Sequence, residues 1–123
     1  GEFLRIGGDL SQGRTAAAED FARRSGAVVV LKGPGTVVAG LDGRCRVNTT
    51  GNCGMAKGGS GDVLSGVVLA LLGLGMDAFD ACCCAVWLHG RAGDLAAQER
   101  GQWGMTPTDL LERLPQALRE VTE

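Results

Sequence analysis

Six glycines fall within sixteen residues of this chain: Gly51, Gly54, Gly58, Gly59, Gly61 and Gly66. Such density is unsuited to a regular helix or strand across 49–61, because glycine loses the most backbone freedom on folding and has no side chain to pack. It suits a loop whose backbone comes close to something else. The run Gly58-Gly59-Ser60-Gly61 leads at once into the apolar stretch that begins Asp62-Val63-Leu64. A glycine loop opening onto a helix presents unpaired N–H groups and the positive end of the helix dipole, and both attract an anion. A plain connector has the same composition, so the residues alone leave both readings open. The stretch is not a Walker A loop, which needs Gly-Lys-Ser/Thr. Nor is it a dinucleotide fingerprint, which follows a strand directly.

Glycine totals 21 of 123 residues, against about 7% in average proteins. With only 3 Pro and no G-x-y period, the chain is neither collagenous nor of low complexity. At 45% hydrophobic and 21% charged it can bury a core. Twelve Lys+Arg against 14 Asp+Glu leave a net charge of −2, which excludes a basic nucleic-acid footprint and a polybasic membrane patch. Val63 to Leu74 is too short to cross a membrane and is broken by Ser65, Gly66 and Gly73. The N-terminus has no charged region followed by an apolar one, so no signal peptide is expected. Five cysteines, three of them contiguous at Cys82, Cys83 and Cys84, do not form a disulfide framework. The expected compartment is the reducing cytoplasm. Three consecutive helical cysteines fan over about 200° and cannot converge on one metal, so they read as small core residues.

The periodicity changes along the chain. Thr15 to Ser25 reads as a helix stopped by Gly26, with an ordinary solvated face of Glu19, Asp20, Arg23 and Arg24. Ala27 to Leu31 is a continuous, β-branched apolar run, the composition of a strand buried on both faces in a parallel sheet. Thr36 to Ala39 and Arg44 to Asn48 flank Asp42-Gly43 as a hairpin. Asp62 to about Leu72 is an apolar helix. Asp77 caps another that runs to about Gln98. Thr106-Pro107 opens a short helix, with Pro115 beginning the last turns. The pattern is α/β, with too few strands for a whole parallel sheet.

Asp62 is an ordinary first-turn acid on one reading, and on another a general base beside an anion hole; one residue can be both. Lys32-Gly33-Pro34-Gly35-Thr36 follows the apolar strand, where open α/β sheets bind ligands. Taken alone it is a strand-ending lysine and a turn. His89, the one histidine, reads as a satisfied buried residue. Trp87 reads as packing, Trp103 as a loop anchor, and Cys53 as an accessible thiol within the glycine loop.

These pieces carry a resemblance in combination. Val30-Leu31-Lys32-Gly33-x-Gly35-Thr36, Asn48-x-Thr50-Gly51-Asn52-x-Gly54-Met55-Ala56-x-Gly58-Gly59-Ser60-Gly61-Asp62-Val63-Leu64-x-Gly66 and Leu88-His89-Gly90-x-Ala92-Gly93-Asp94 occur in order. Together they resemble the carboxyl-terminal half of the ADP/ATP-dependent NAD(P)H-hydrate dehydratases, a ribokinase-like family. The resemblance implies a partial ribokinase-like α/β fold, with residues 1–123 as the carboxyl-terminal part of one catalytic domain. It also implies a lyase of metabolite repair that returns NADHX and NADPHX to NADH and NADPH at the expense of ADP or ATP, with Mg²⁺ accompanying the nucleotide. By motif, Lys32, Gly33, Pro34, Gly35, Thr36 and Gly61 bind the nucleotide. Gly58, Gly59 and Gly61 form the anion hole, and Asp62 contacts the hydrate and acts as base. A hydroxyl leaves poorly and a phosphate leaves readily, so a base beside an anion hole fits such an elimination.

Family members are more than twice this length. Gly1-Glu2 resemble the end of the family's His-Pro-Gly-Glu motif, and the isolated chain is expected to be inactive. Two other readings stand beside the lyase: a ribokinase-like kinase of a hydroxymethylpyrimidine or thiazole alcohol, and a non-catalytic nucleotide-binding piece. Association into a homo-oligomer stays open.

Overall fold

The computed structural model describes residues 13–122; the expectation placed on Gly1-Glu2 lies outside them. Helix α1 (Arg14–Ser25) is followed by β1 (Val29–Leu31), β2 (Val37–Ala39), β3 (Cys45–Val47), a 3-10 turn (Cys53–Met55), α2 (Ser60–Gly73), α3 (Ala78–Gly104) and α4 (Pro107–Thr122). Among the described residues this is an α/β arrangement of three strands and four helices.

The sheet runs in the order β1-β2-β3 with both pairings antiparallel, Val30 opposite Val38 and Val38 opposite Arg46. Asp42-Gly43 turns the hairpin as its sequence predicts, with Gly43 at φ 90° where a side chain would be strained. The parallel, doubly buried strand expected over 27–31 is not what forms. Val29, Val30 and Leu31 are each half-buried, whereas Val37, Val38 and Ala39 are buried throughout. Position explains the difference. β2 is sandwiched between two strands and has a layer on each face. β1 has a strand neighbour on one side only among the described residues.

The two faces of β2 point into different layers. Val37 and Ala39 meet Ala18 and Ala22 of α1, where small side chains let helix and sheet approach closely. Val38 meets Leu64, Phe79, Cys82, Ala85 and Val86 of α2 and α3. A further cluster of Leu88, Ala92, Leu95, Leu110 and Ala117 joins α3 to α4.

The helix ends follow their local chemistry. Gly26 ends α1 in the left-handed conformation. The Asp77 carboxylate accepts from the Asp80 amide. Thr106 and Asp109 cap each other reciprocally. Three local expectations fail. α3 continues past Gln98 to Gly104 across a kink at Gly101, φ 75°. The short helix opened by Thr106-Pro107 and the last turns expected from Pro115 form one helix, α4, with Pro115 inside it. The Trp103 side chain is 97% exposed and anchors no loop.

Candidate active site

Two chain segments meet at the carboxyl end of β1. The first is the turn 32–36, where Gly35 adopts φ 64° and the Thr36 hydroxyl donates to Gly33 O at 3.1 Å while accepting from Gly33 N. The second is the loop 48–59 leading into α2. They approach each other at Gly61, where a Cβ would stand 3.1 Å from Lys32 Nζ. A side chain at Gly61 would thus crowd the ammonium, which lies against the first turn of α2.

Between the segments lies a cavity of about 720 Å³, within the range of small-molecule sites. Lys32, Gly33, Pro34, Gly35, Thr36 and Gly61 all line it, as do Asn48, Asn52, Cys53, Lys57 and His89. Gly58, Gly59 and Asp62 are not among its lining residues. Gly58 and Gly59 form the exposed approach to α2, with Gly59 at φ 98°. Asp62 is an exposed acid in the first turn of α2, adjacent to Gly61.

The glycine loop is tied down by partners far away in sequence. Asp94 on α3 accepts from Gly51 N at 3.0 Å and Asn52 Nδ2 at 2.9 Å. Asn48 Nδ2 donates to Val86 O at 3.1 Å, and the Thr50 hydroxyl donates to Trp87 O at 3.0 Å. Asn52 Oδ1 folds back to accept from Gly54 N. Lys57 Nζ donates to Trp103 O at 3.0 Å and also to Met105 O, fastening the loop to the junction of α3 and α4. Sequence reasoning did not single out Asp94 or Lys57. Asp94 stood within a quoted motif, but its spacing from the loop carries no local signal.

His89 Nε2 lies 2.8 Å from Ser60 O. A carbonyl only accepts, so this nitrogen carries the proton. Burial pushes the imidazole pKa below its ordinary value, and the positive charge of Lys32 pushes the same way, against the Ser60 bond. The neutral ring thus holds the first residue of α2 in place and lines the cavity, consistent with a satisfied histidine. Cys53 is exposed, as expected, with Sγ donating to Gln102 Oε1 at 2.7 Å. Burial raises the thiol pKa of Cys82, Cys83 and Cys84, in keeping with packing residues.

Among the described residues no group of three or more His, Cys, Asp or Glu is placed to hold a metal ion. No helix there is long and apolar enough to cross a membrane. The site offers a lysine ammonium, a helix N-terminus without a cap side chain and a glycine-rich wall. Groups of these kinds attract anions.

Known proteins match this arrangement. The sequence signature of NAD(P)H-hydrate dehydratase covers residues 1–116. The bifunctional NAD(P)H-hydrate repair enzyme Nnr of Thermofilum pendens is 47% identical over 127 aligned residues, spanning 100% of this chain and 24% of the relative. The ADP-dependent (S)-NAD(P)H-hydrate dehydratase of Bacillus subtilis is 39% identical, over 94% of this chain and 43% of its own length. The crystal structure of the Bacillus subtilis ADP/ATP-dependent enzyme, obtained with ATP and Mg²⁺, superposes with a TM-score of 0.85 at 37% identity. That match covers 90% of this chain and 40% of the solved one. This chain therefore spans well under half the length of each of these relatives, and on sequence and fold it belongs to the NAD(P)H-hydrate dehydratase family.

Proposed function

We propose that this chain carries the nucleotide-binding and base-bearing part of an ADP- or ATP-dependent NAD(P)H-hydrate dehydratase, as the carboxyl-terminal part of one ribokinase-like domain. The observation that carries the reading is the meeting of Lys32 Nζ with Gly61 at the start of α2, beside a cavity walled by the 32–36 turn. Lys32, Gly33, Pro34, Gly35, Thr36 and Gly61 hold the adenine nucleotide. The N–H groups around Gly58, Gly59 and Gly61 receive the charge that develops on the transferred phosphoryl group. Asp62 takes the proton from the hydroxyl of NADHX or NADPHX as its oxygen attacks the terminal phosphorus, and the bridging phosphorus–oxygen bond breaks to release ADP from ATP, or AMP from ADP. The carbon–oxygen bond then breaks with departure of phosphate, and loss of a ring proton restores the dihydronicotinamide.

Mg²⁺ would accompany the nucleotide and neutralise phosphate charge, held mainly by phosphate oxygens, since among the described residues no group of three or more His, Cys, Asp or Glu is placed to hold it. Asp62 faces solvent rather than the cavity. This supports a hydrate pocket completed by further protein, and hence no turnover by residues 1–123 alone. The reaction belongs to metabolite repair in the cytoplasm, and association into a homo-oligomer is compatible with it.

The test is recovery of dihydronicotinamide absorbance from NADHX with ADP or ATP, using the full-length protein. Asp62→Asn is expected to lower kcat by about 10² or more while nucleotide affinity stays within about twofold. Near-normal turnover would reduce Asp62 to a helix-end acid. A phosphorylated alcohol product without dihydronicotinamide recovery would assign the site to a small-molecule kinase instead.

A further inference from the structure

Arg14 is the first residue of α1, where a cation opposes the helix dipole and gains nothing from it. Its guanidinium reaches the turn that follows β1. Nη1 donates to Pro34 O at 2.7 Å and, at 3.4 Å, to Gly35 O. Nη2 donates to Leu31 O and Lys32 O, each at 3.0 Å. One side chain thus takes up four backbone carbonyls within five residues. The fit is close, because a Cβ on Gly33 would stand 2.9 Å from Nη2.

No peptide bond in the described chain is cis, so the N–H of each peptide unit points opposite to its carbonyl. Fixing the carbonyls of Leu31, Lys32 and Pro34 toward Arg14 turns the N–H groups of Lys32, Gly33 and Gly35 away from it. The Gly33 amide meets the Thr36 hydroxyl, and the turn as a whole lines the cavity. The guanidinium also places a positive charge behind that wall.

We propose that Arg14 is the positioning residue of the nucleotide-binding turn: its four-carbonyl clamp sets the backbone of 32–36, and with it Lys32, in the orientation that receives the nucleotide. The inference rests on the nucleotide reading above. It assigns the task to a residue outside the cavity. Lysine cannot replace it, since a single ammonium lacks the planar fork that serves two pairs of carbonyls at once.

Arg14→Lys and Arg14→Gln in the full-length protein test the clamp by two readouts. Nucleotide Kd is expected to rise about tenfold or more, while KM for the hydrate at saturating nucleotide stays within about twofold. Amide exchange over 31–36 is expected to accelerate about tenfold or more, with α3 unaffected. Unchanged exchange over 31–36 in both variants overturns the proposal. So does a rise in both substrate constants together with faster exchange throughout, which marks a general structural role. A wild-type protein that binds neither ADP nor ATP refutes the proposed function. Acceleration confined to 31–36 would still support the clamp in that case.

Discussion

Gly90→Ala is the sharpest test of how the glycine loop is held. Gly90 sits inside α3, where alanine would ordinarily favour the helix by about 1 kcal/mol. The structure reverses the sign. A Cβ there would collide with the Thr50 hydroxyl and stand 2.7 Å from the Thr50 carbonyl carbon. The second contact is with backbone and cannot be relieved by a rotamer. The loop must move off α3, which costs roughly 1–3 kcal/mol as overpacking. Moving it also weakens the Thr50–Trp87 O and Asn48–Val86 O bonds, each about 1 kcal/mol. After the gain in propensity, the net loss is about 2–4 kcal/mol, or a fall in Tm of about 8–16 °C. Gly66→Ala is the matched control. Gly66 lies inside α2 with nothing within 4 Å of the added carbon, so it should gain up to about 1 kcal/mol. Urea and thermal unfolding followed by circular dichroism read both. A Gly90→Ala protein as stable as wild type would refute the close helix–loop approach.

Two further outcomes follow from the hydrogen-bond pattern. The His89 pKa lies below its ordinary 6.5, so the unfolded chain takes up a proton first as pH falls. Stability should therefore be level above about pH 6.5 and decline below it. Urea midpoints should show this slope in wild type and lose it in His89→Gln, which keeps a donor for Ser60 O. Thr106→Ala removes the hydroxyl that accepts from Asp109 N at 3.2 Å. It should cost about 1 kcal/mol, or about 4 °C in Tm, without altering nucleotide affinity.

Much of the molecule is written in short-range chemistry. Asp42-Gly43 makes its hairpin, Asp77 and Thr106 cap their helices, and Gly58 to Gly61 run from loop into helix, because each depends on bonds a few residues apart. The candidate site was legible for a related reason. Lys32 to Thr36 and Gly61 belong to compact motifs, and the structure brings both to one cavity. Depth was misread where neighbours in space decide it. The β-branched apolar run became the half-buried β1, and β2, of equal length, became the central strand, because strand order is set by pairing and not by composition. Trp103, two residues beyond the kink at Gly101, stands in solvent, which composition alone did not indicate.

The sequence by itself determined the turns, the caps, the glycine loop and the family, all of which depend on residue identity and near spacing. Tertiary structure alone decided what holds the loop and turn in register. Asp94 lies 43 residues from Gly51, Lys57 48 from Met105, and Arg14 20 from Pro34. Charged side chains at such separations find their backbone partners only after the sheet and helices have packed, and no local pattern marks them beforehand.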